Sequence, residues 1–557
     1  MAGGLMQLVS YGAQDVYISG NPQITFWKVL YKRHTNFAME SIEVTFNGQA
    51  DFGKRVTAVI SRNADLMYRT YIQVTLPQVS LNASSADRFR WLNYVGHRLI
   101  KQVEVEIGGS RIDRQYGDWM QIWTQLTQPT GTQNSFDDMV GNTADLVLLK
   151  TAAGVPLDAT CAASELTNSC VSRAGTPMKT LYIPLQFWFC RNPGLAIPLI
   201  ALQYHEVRIN VDFEQNYNCC YGDSAANPTT MASAYAAPQS LPQGTAATGG
   251  GGIQSLQLVA ASLYIDYVYL DTEERRRFAQ QSHEYLIDQL QYTGAETITA
   301  SSNKIQMNFN HPVKEIVWVV QRDSFVDCSA PGGVVPWIKE ALGQQPFNYS
   351  DDWNTDGIVT SILGRGSLAT SSGQTTGAAA LPTTGGATWG EPFIPGLGIV
   401  SGGGLTTGSE LYGDGVGNDG ADIFFENTTN YLLAKLILCV PCAKCEGKNP
   451  TEVAKIQLNG QDRFSEREGR YFDKVQPWQH HTRTPSTGIN VYSFALKPEE
   501  HQPSGSCNFS RIDKATLNLT VSVNTVKNQN TAQVRIYAVN YNVLRVMSGM
   551  GGLAYSN

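Results

Sequence analysis

The sequence has few charged residues for its length. Asp, Glu, Lys and Arg make up 16% of its 557 residues, whereas an ordinary soluble domain has roughly a quarter. Glycine (51 residues), proline (24) and aromatic residues (10%) are plentiful instead. This composition excludes a disordered chain and a coiled coil. It also suits a protein that buries much of its exterior against copies of itself.

An excess of positive charge and a long hydrophobic run are missing too. The formal net charge is -7 and neither half of the chain is basic, so the sequence lacks the excess of basic residues that is typical of nucleic-acid-binding proteins. The longest apolar stretches, 181–190 and 431–441, fall short of the roughly 18 residues that span a bilayer. The N-terminus lacks the basic and apolar regions of a secretory signal. We therefore expect cytoplasmic synthesis, no membrane span and no direct nucleic-acid contact.

The ten cysteines do not form the paired knuckles of a closed zinc site. Cys439, Cys442 and Cys445 are the candidate metal ligands, because two residues separate each neighbouring pair and thiolates at that spacing can reach one zinc ion. No fourth ligand stands at a spacing that completes the site, and Cys439 ends an apolar run typical of a buried strand. We expect reduced thiols and no metal or other cofactor.

No local signature of catalysis is present. His205, His480 and His481 invite a proposal of a general base, but no G-x-S-x-G elbow or comparable motif accompanies them. Glu499 and Glu500 are adjacent, so on a strand they point in opposite directions and cannot alone form a glycosidase pair. We therefore predict no catalytic residue.

Sequons of the form N-x-S/T provide the candidate modification sites. The glycosylation candidates are Asn82, Asn348 and Asn427, and two further sequons begin at Asn508 and Asn518. Without a secretory signal the host secretory machinery does not meet them, and we expect unmodified asparagine there.

Helices are scarce, and period-two alternation dominates the readable segments. The segments 118–126 and 271–279 are predicted to be helical, with Asp271 as the N-cap of the second. Eight segments repeat every two residues and are rich in Val, Ile, Thr and Tyr, so we predict that they are strands, most of them half buried. They are 41–46, 71–76, 102–107, 256–270, 305–309, 315–320, 516–523 and 533–539. Two Gly-rich stretches, 328–422 and the shorter 218–252, are predicted to be long loops.

The two halves of the chain resemble each other weakly. The matching pairs are 42–48 with 287–294, the strands from Tyr71 and from Glu315, 105–111 with 456–462, and 185–213 with 494–519, the last placing 205–209 on 508–512. A repeat of this length indicates a duplicated domain. Each copy has about eight strands' worth of alternating sequence, which favours a jelly roll or a similar sandwich.

Several segments resemble the major capsid proteins of nucleocytoplasmic large DNA viruses. They are 21–28 (NPQITFWK), 31–38 (YKRHTNFA), 115–119 (QYGDW), 271–279 (DTEERRRFA), 458–472 and, most closely, 492–512 (YSFALKPEEHQPSGSCNFSRI). These runs occur in order and cover both halves of the chain. The resemblance implies an all-β fold of two tandem eight-stranded jelly-roll barrels with long inserted loops and few short helices.

The resemblance also implies an organisation and a function. The expected parts are an N-terminal segment under the capsomer (1–40), jelly roll 1 (41–270), a helical linker (271–285), jelly roll 2 (286–545) with the insertion 328–422, and a C-terminal tail (546–557). Three copies would form a pseudo-hexameric capsomer that tiles an icosahedral shell in the virion. The expected partners are the chain itself, minor capsid proteins beneath the shell and a nearby internal membrane that the chain does not span.

Two other functions stay open on the sequence alone. A secreted carbohydrate-binding or adhesive β-sandwich protein would suit the sequons and the Gly-rich loops, although the N-terminus argues against secretion. A glycan-active enzyme on a jelly roll would need convergent carboxylates in a cleft.

Overall fold

The computed structural model describes residues 3–23, 29, 31–80, 88–147, 150–151, 175–223, 256–326, 344–351, 393–394, 398–399, 447–526 and 531–555. Most of the predicted insertion 328–422 therefore lies outside the described residues. The described chain forms two β-barrels in sequence, each built from two facing antiparallel sheets.

The first barrel consists of sheets that we name A1 and B1. Sheet A1 has the order β1 (Phe37–Thr45), β14 (Ala260–Leu270), β3 (Leu66–Leu76), β10 (Lys179–Pro184), with β11 (Ile197–Pro198) also paired to β3. Sheet B1 has the order β2 (Arg55–Val59), β12 (Val207–Phe213), β6 (Ile100–Ile107), β7 (Ser110–Tyr116). Shorter strands pair outside these sheets: β4 (Val79–Ser80), β5 (Arg88–Trp91), β8 (Lys150–Thr151), β9 (Gly175–Thr176) and β13 (Cys220–Asp223).

The second barrel repeats this arrangement in sheets A2 and B2. Sheet A2 has the order β15 (His283–Ile298), β26 (Ala532–Met547), β17 (Pro312–Arg322), β23 (Ile489–Ser493), with β24 (Cys507–Asn508) on β17 and β27 (Met550–Leu553) on β26. Sheet B2 has the order β16 (Ser302–Met307), β25 (Ala515–Val521), β20 (Thr451–Leu458), β21 (Gln461–Asp462), with β22 (Arg467–Glu468) on β20. A separate hairpin joins β18 (Phe393–Ile394) and β19 (Gly398–Ile399).

The helices are short and lie mostly between strands. They are α1 (Gly3–Val9), α2 (Val16–Ser19), α3 (Val95–Leu99), α4 (Gly117–Thr127), α5 (Gln133–Val140), α6 (Ala144–Val147), α7 (Trp188–Arg191), α8 (Thr272–Gln280), α9 (Asp323–Val326), α10 (Gln476–His480) and α11 (Val523–Val526). A π-helical turn, Tyr471–Val475, leads into α10. Both predicted helices are present as α4 and α8, and the Asp271 carboxylate caps α8 by accepting a hydrogen bond from the Thr272 N–H.

The sheet orders confirm the internal duplication. Every strand of A1 and B1 has a counterpart at the same place in A2 and B2, and the hairpins β6–β7 and β20–β21 have matching two-residue turns. Gly108 and Gly109 have φ of +59° and +80°, and Asn459 and Gly460 have φ of +50° and +82°. Positive φ at both turn positions is the type I′ geometry that fits the twist of a hairpin.

One detail of the predicted repeat is wrong. Residues 205–209 do not correspond to 508–512, because Val207–Phe213 is a strand whereas Phe509–Arg511 is a 3₁₀ turn. Ile209 pairs with Val105 in the first barrel, and Leu517 pairs with Ile456 in the second. The counterpart of β12 is therefore β25, a few residues further along.

Burial follows the alternation in most strands, with one important exception. In β3, Ile72, Val74 and Leu76 face the core of the first barrel and the residues between them do not. In β17, all residues from Val313 to Arg322 are buried, so the strand predicted at 315–320 is present but is not one of the half-buried strands. This strand is covered on both faces.

The strands extend beyond the predicted limits of the two barrels. β1 begins at Phe37, inside the segment 1–40, and β15 begins at His283, inside the linker 271–285. The C-terminal segment 546–557 contributes β27 to sheet A2. The linker helix α8 is fixed to the first barrel, because Arg275 Nε lies 2.7 Å from the buried Asp65 carboxylate.

Candidate assembly surfaces

Helix α4 lies between the two barrels and covers the outer face of sheet A2. Its apolar residues Trp119, Ile122, Trp123 and Leu126 follow the i, i+3, i+4, i+7 spacing of one helix face. They form one buried cluster with residues of the second barrel: Val317, Val319, Ile489, Val491, Tyr537 and Val539. The opposite side of α4 places Met120 in the core of the first barrel. Each buried side chain of this size contributes about 1.5–3 kcal/mol, so α4 joins the barrels firmly.

An ion pair marks the start of the same helix. The Asp118 carboxylate in the first turn of α4 contacts the Arg535 guanidinium of β26. Both side chains are mostly buried, where removing one partner leaves an uncompensated charge that costs about 3–5 kcal/mol. The pair therefore fixes the orientation of the barrels as well as their contact.

A second charged cluster lies beside Trp123. The buried Lys314 Nζ donates to Asp288 Oδ2 and to the Pro498 carbonyl, both at 2.9 Å. Arg191 of the first barrel lies 4.0 Å from Asp288 Oδ2, and its guanidinium lies 4.0 Å from the centre of the Trp123 ring. Asp288 is thus contacted by cations from both barrels.

Strands β7 and β15 are joined directly. Asp113 Oδ1 accepts a hydrogen bond of 3.1 Å from the Leu290 N–H, and the Gln289 side chain donates to the Ile112 carbonyl. Burial raises the pKa of Asp113 to about 7, although the hydrogen bonds from Leu290 and Arg114 oppose the shift. The junction therefore holds a carboxyl group that titrates near neutral pH.

His481 connects two acidic residues on the second-barrel side of the junction. Its Nε2 lies 2.9 Å from Glu315 Oε2 and its Nδ1 lies 2.9 Å from Glu499 Oε1. Burial opposes the charged imidazolium, but the two carboxylates outweigh it and raise the pKa of His481 to about 9. The His481 ring also approaches Trp123 edge-on, with centroids 6.5 Å apart. A protonated His481 therefore belongs to the junction at neutral pH.

The C-terminal hairpin makes a further contact between barrels. The Tyr204 N–H donates to the Gly549 carbonyl at 3.0 Å, and the Gly551 N–H donates to His205 Nδ1 at 3.1 Å. Leu553 packs against the core of the first barrel. This part of the predicted C-terminal tail is therefore a strand, and it holds the two barrels together.

Two exposed surfaces lie outside this junction. The first, the tyrosine face, is formed by Tyr71, Tyr182 and Tyr264 on the outside of sheet A1. Tyr71 stacks on Tyr264 with centroids 5.2 Å apart, and Tyr182 lies 6.1 Å from Tyr71 with 40% of its surface exposed.

The second, the Trp478 patch, is formed by Val475, Trp478 and Leu496. Trp478 is 76% exposed and Leu496 is 72% exposed. His480 Nδ1 lies 3.0 Å from the Leu496 carbonyl and so links the patch together. Exposed aromatic and aliphatic groups in one place are typical of a protein contact.

Comparison with known proteins shows the family of this chain. A family model for the N-terminus of major capsid proteins matches residues 25–271, and a model for the large eukaryotic DNA virus major capsid protein matches residues 274–552. The chain belongs to this family of viral major capsid proteins. It is a structural protein of the virion capsid, and the alternative of a secreted adhesive or carbohydrate-binding protein is not supported.

Relatives and solved structures support the same family. The major capsid proteins of Phaeocystis pouchetii virus and of Paramecium bursaria Chlorella virus 1 are 54% and 36% identical to this capsid protein over the full length of both chains. A quasi-atomic model of the PBCV-1 virus capsid matches 96% of this chain and 100% of its own, with 31% identity and a TM-score of 0.58. The Faustovirus major capsid protein, 14% identical, shares the fold with a TM-score of 0.61.

The predicted site residues of this capsid protein are only partly covered by the structure. Cys439, Cys442, Cys445, Asn82 and Asn427 lie outside the described residues. Asn348 is half-buried in a turn, where its Oδ1 accepts hydrogen bonds from the Ser350 N–H (3.0 Å) and hydroxyl (2.7 Å). Asn348 remains a candidate glycosylation site, and the expectation that it is unmodified stays a prediction. Within the described ranges, no helix is long and apolar enough to cross a membrane.

The residues that join the barrels were not predicted as a site. The sequence offers His481 as a candidate general base and Glu499 as one of two adjacent acids, and in the structure both belong to the junction. The DWMQIWTQL segment predicted α4, and its two tryptophans on one helix face were a signal that this helix covers an apolar surface.

Proposed function

We propose that three copies of this capsid protein form a pseudo-hexameric capsomer and that these capsomers tile the icosahedral shell of a large DNA virus. The observation that carries the proposal is the pair of equivalent barrels fixed together by α4 and by the charged residues around it. A trimer of such chains presents six similar units around one axis. It can therefore pack as a hexagon with threefold symmetry.

The parts of the chain have different places in this capsomer. We assign jelly roll 1 to 41–270, the helical linker to 271–285, jelly roll 2 to 286–545 with its insertion 328–422, and the C-terminal tail to 546–557. The segment 1–40 is assigned to the underside of the capsomer. In its helix α1, Leu5, Met6, Leu8 and Val9 are all exposed, and an apolar segment of this kind favours coverage by another surface. Minor capsid proteins and the nearby internal membrane are the proposed neighbours.

The proposed role is assembly without catalysis. We assign no catalytic or cofactor-binding residue, no direct nucleic-acid contact, and assembly in the host cytoplasm. The thiols Cys439, Cys442 and Cys445 remain the candidates for a metal site, and Asn82, Asn348 and Asn427 remain those for glycosylation.

The mass of the purified chain tests the proposal. Light scattering after size-exclusion chromatography should give about 183 kDa, three times the 61.0 kDa of one chain. Negative-stain microscopy of the same sample should show hexagonal particles. A stable 61.0 kDa monomer at micromolar concentration would contradict the proposal.

A further inference from the structure

The contact between the two barrels of one chain has a counterpart surface that no described residue range covers. In the second barrel, α4 covers the outer face of sheet A2. Sheet A1 has the same strand order, and the corresponding positions on its outer face carry the tyrosine face. In sheet A1, Tyr264 pairs with Tyr71, and Tyr182 pairs with Gln73. At the corresponding positions of sheet A2, Val539 pairs with Glu315, and Val491 pairs with Val317.

The covering helix has a counterpart as well. Helix α4 lies between the hairpin strand β7 and β10, and the π-helical turn with α10 lies between the hairpin strand β21 and β23. Each segment anchors one side chain in its own barrel: Met120 in the first, and Phe472, 4.9 Å from Trp318, in the second. Where α4 presents Trp119 and Trp123 to a sheet, α10 presents Trp478 to solvent.

Charged residues border both surfaces. Glu43 accepts a hydrogen bond from the Tyr264 hydroxyl at 3.3 Å, and Asp266 lies on the same face of sheet A1, where Arg69 is also exposed. Arg470 precedes the turn that leads to Trp478, and Lys474 lies in that turn, 3.8 Å from Asp473. Charges at the rim of an aromatic contact restrict it to orientations in which opposite signs meet.

We propose that the Trp478 patch of one copy packs on the tyrosine face of a second copy. This inference rests on the proposed trimer and names its contact surfaces. The contact repeats between chains what α4 does within a chain, so intrachain and interchain contacts alternate around the ring. Because the two surfaces differ, the contact is head-to-tail, and three copies close it. Trp and Tyr are also the residues that dominate the energetics of protein interfaces.

Charge introduction at either surface tests the proposal. The variants Trp478→Asp and Tyr182→Asp should each lose the species of about 183 kDa and run as 61.0 kDa monomers. Tyr217→Asp is the matched control, because Tyr217 is 42% exposed and belongs to neither surface. It should remain trimeric. Far-ultraviolet circular dichroism should show that all three variants are folded, because each replaced side chain is exposed in the single chain.

Cross-linking provides a second readout that does not depend on dissociation. A chain carrying both Trp478→Cys and Tyr182→Cys, treated with a short bismaleimide, should give covalent dimers and trimers that neither single variant gives. If Trp478→Asp stayed trimeric and the double cysteine variant did not cross-link, the proposed contact would be overturned. The proposal of a trimer would then still stand. A monomeric wild-type chain would instead contradict the trimer itself.

Discussion

Asp113 of the first barrel accepts a hydrogen bond at 3.1 Å from the backbone N–H of Leu290 in the second. The carboxyl group is buried, and burial raises its pKa from 3.8 to about 7. Because the folded state holds this proton more tightly than the unfolded state, Asp113 stabilises the fold below about pH 4. That contribution is lost as the pH rises through about 7.

The substitution Asp113→Asn should remove this pH dependence. The amide stays neutral, and its oxygen can still accept from Leu290, so the variant should unfold at a higher temperature than the wild type at about pH 8. At about pH 4 the two proteins should unfold at similar temperatures. Differential scanning calorimetry at both pH values measures the unfolding temperatures. If the variant and the wild type differed by the same amount at both pH values, the raised pKa of Asp113 would be contradicted.

His481 gives a pH dependence in the alkaline range. Its pKa is raised from 6.5 to about 9 by Glu315 and Glu499 against the effect of burial. The stabilisation is complete below about pH 6.5 and is lost as the pH rises through about 9, because the neutral ring leaves two carboxylates without their cation. The unfolding temperature of the wild type should therefore fall across this range.

Variants at His481 and at the adjacent His480 show whether the fall in unfolding temperature depends on His481. His481→Gln should lower the unfolding temperature at neutral pH, in line with a loss of about 3–5 kcal/mol for a broken buried ion pair. It should also show a weaker fall between about pH 6.5 and 9. His480→Gln, which affects only the contact with the Leu496 carbonyl, should keep the wild-type pH profile.

The sequence predicted the barrels better than their junction. Alternation and the repeat predicted the strands because each depends on residues close together in the chain or on a copied order of elements. Asp113 and Leu290 are 177 positions apart, and Arg535 and Asp118 are 417 apart. No local pattern connects residues at such distances, so the charged contacts needed the fold to bring them together.

The burial of β17 on both faces has a local signal in the sequence. The apolar run from Ile316 to Val320 has no polar residue on either face, which is typical of a strand covered on both sides. The predicted match of 205–209 with 508–512 is wrong because 509–511 form a 3₁₀ turn ahead of β25, and sequence similarity alone does not show at which residue a strand begins.

The hairpin glycines Gly108 and Gly109 should differ in their tolerance of a side chain. Both have positive φ, so alanine at either position costs about 1 kcal/mol or more. A Cβ at Gly109 meets nothing within 4 Å, whereas a Cβ at Gly108 would clash with the His205 ring. Gly108→Ala should therefore lower the unfolding temperature more than Gly109→Ala. Equal midpoints in thermal unfolding would contradict the close approach of His205.

Trp123 should be the most sensitive position of the junction. It is buried between the barrels, and its ring lies under the Arg191 guanidinium. Trp123→Ala removes the apolar contact and leaves a cavity, which costs about 3–5 kcal/mol for a large aromatic residue. It also leaves the Arg191 cation without its ring, so the loss should lie toward the upper end of that range.

Trp123→Phe is the matched variant, because it keeps an aromatic ring against sheet A2 and under Arg191. Its unfolding midpoint should lie between those of the wild type and Trp123→Ala. If α4 joins the barrels as described, calorimetry of Trp123→Ala should also show the two barrels beginning to unfold separately, since a weakened interface reduces their cooperativity. A single unshifted transition in Trp123→Ala would contradict the role of α4 as the joint between the barrels.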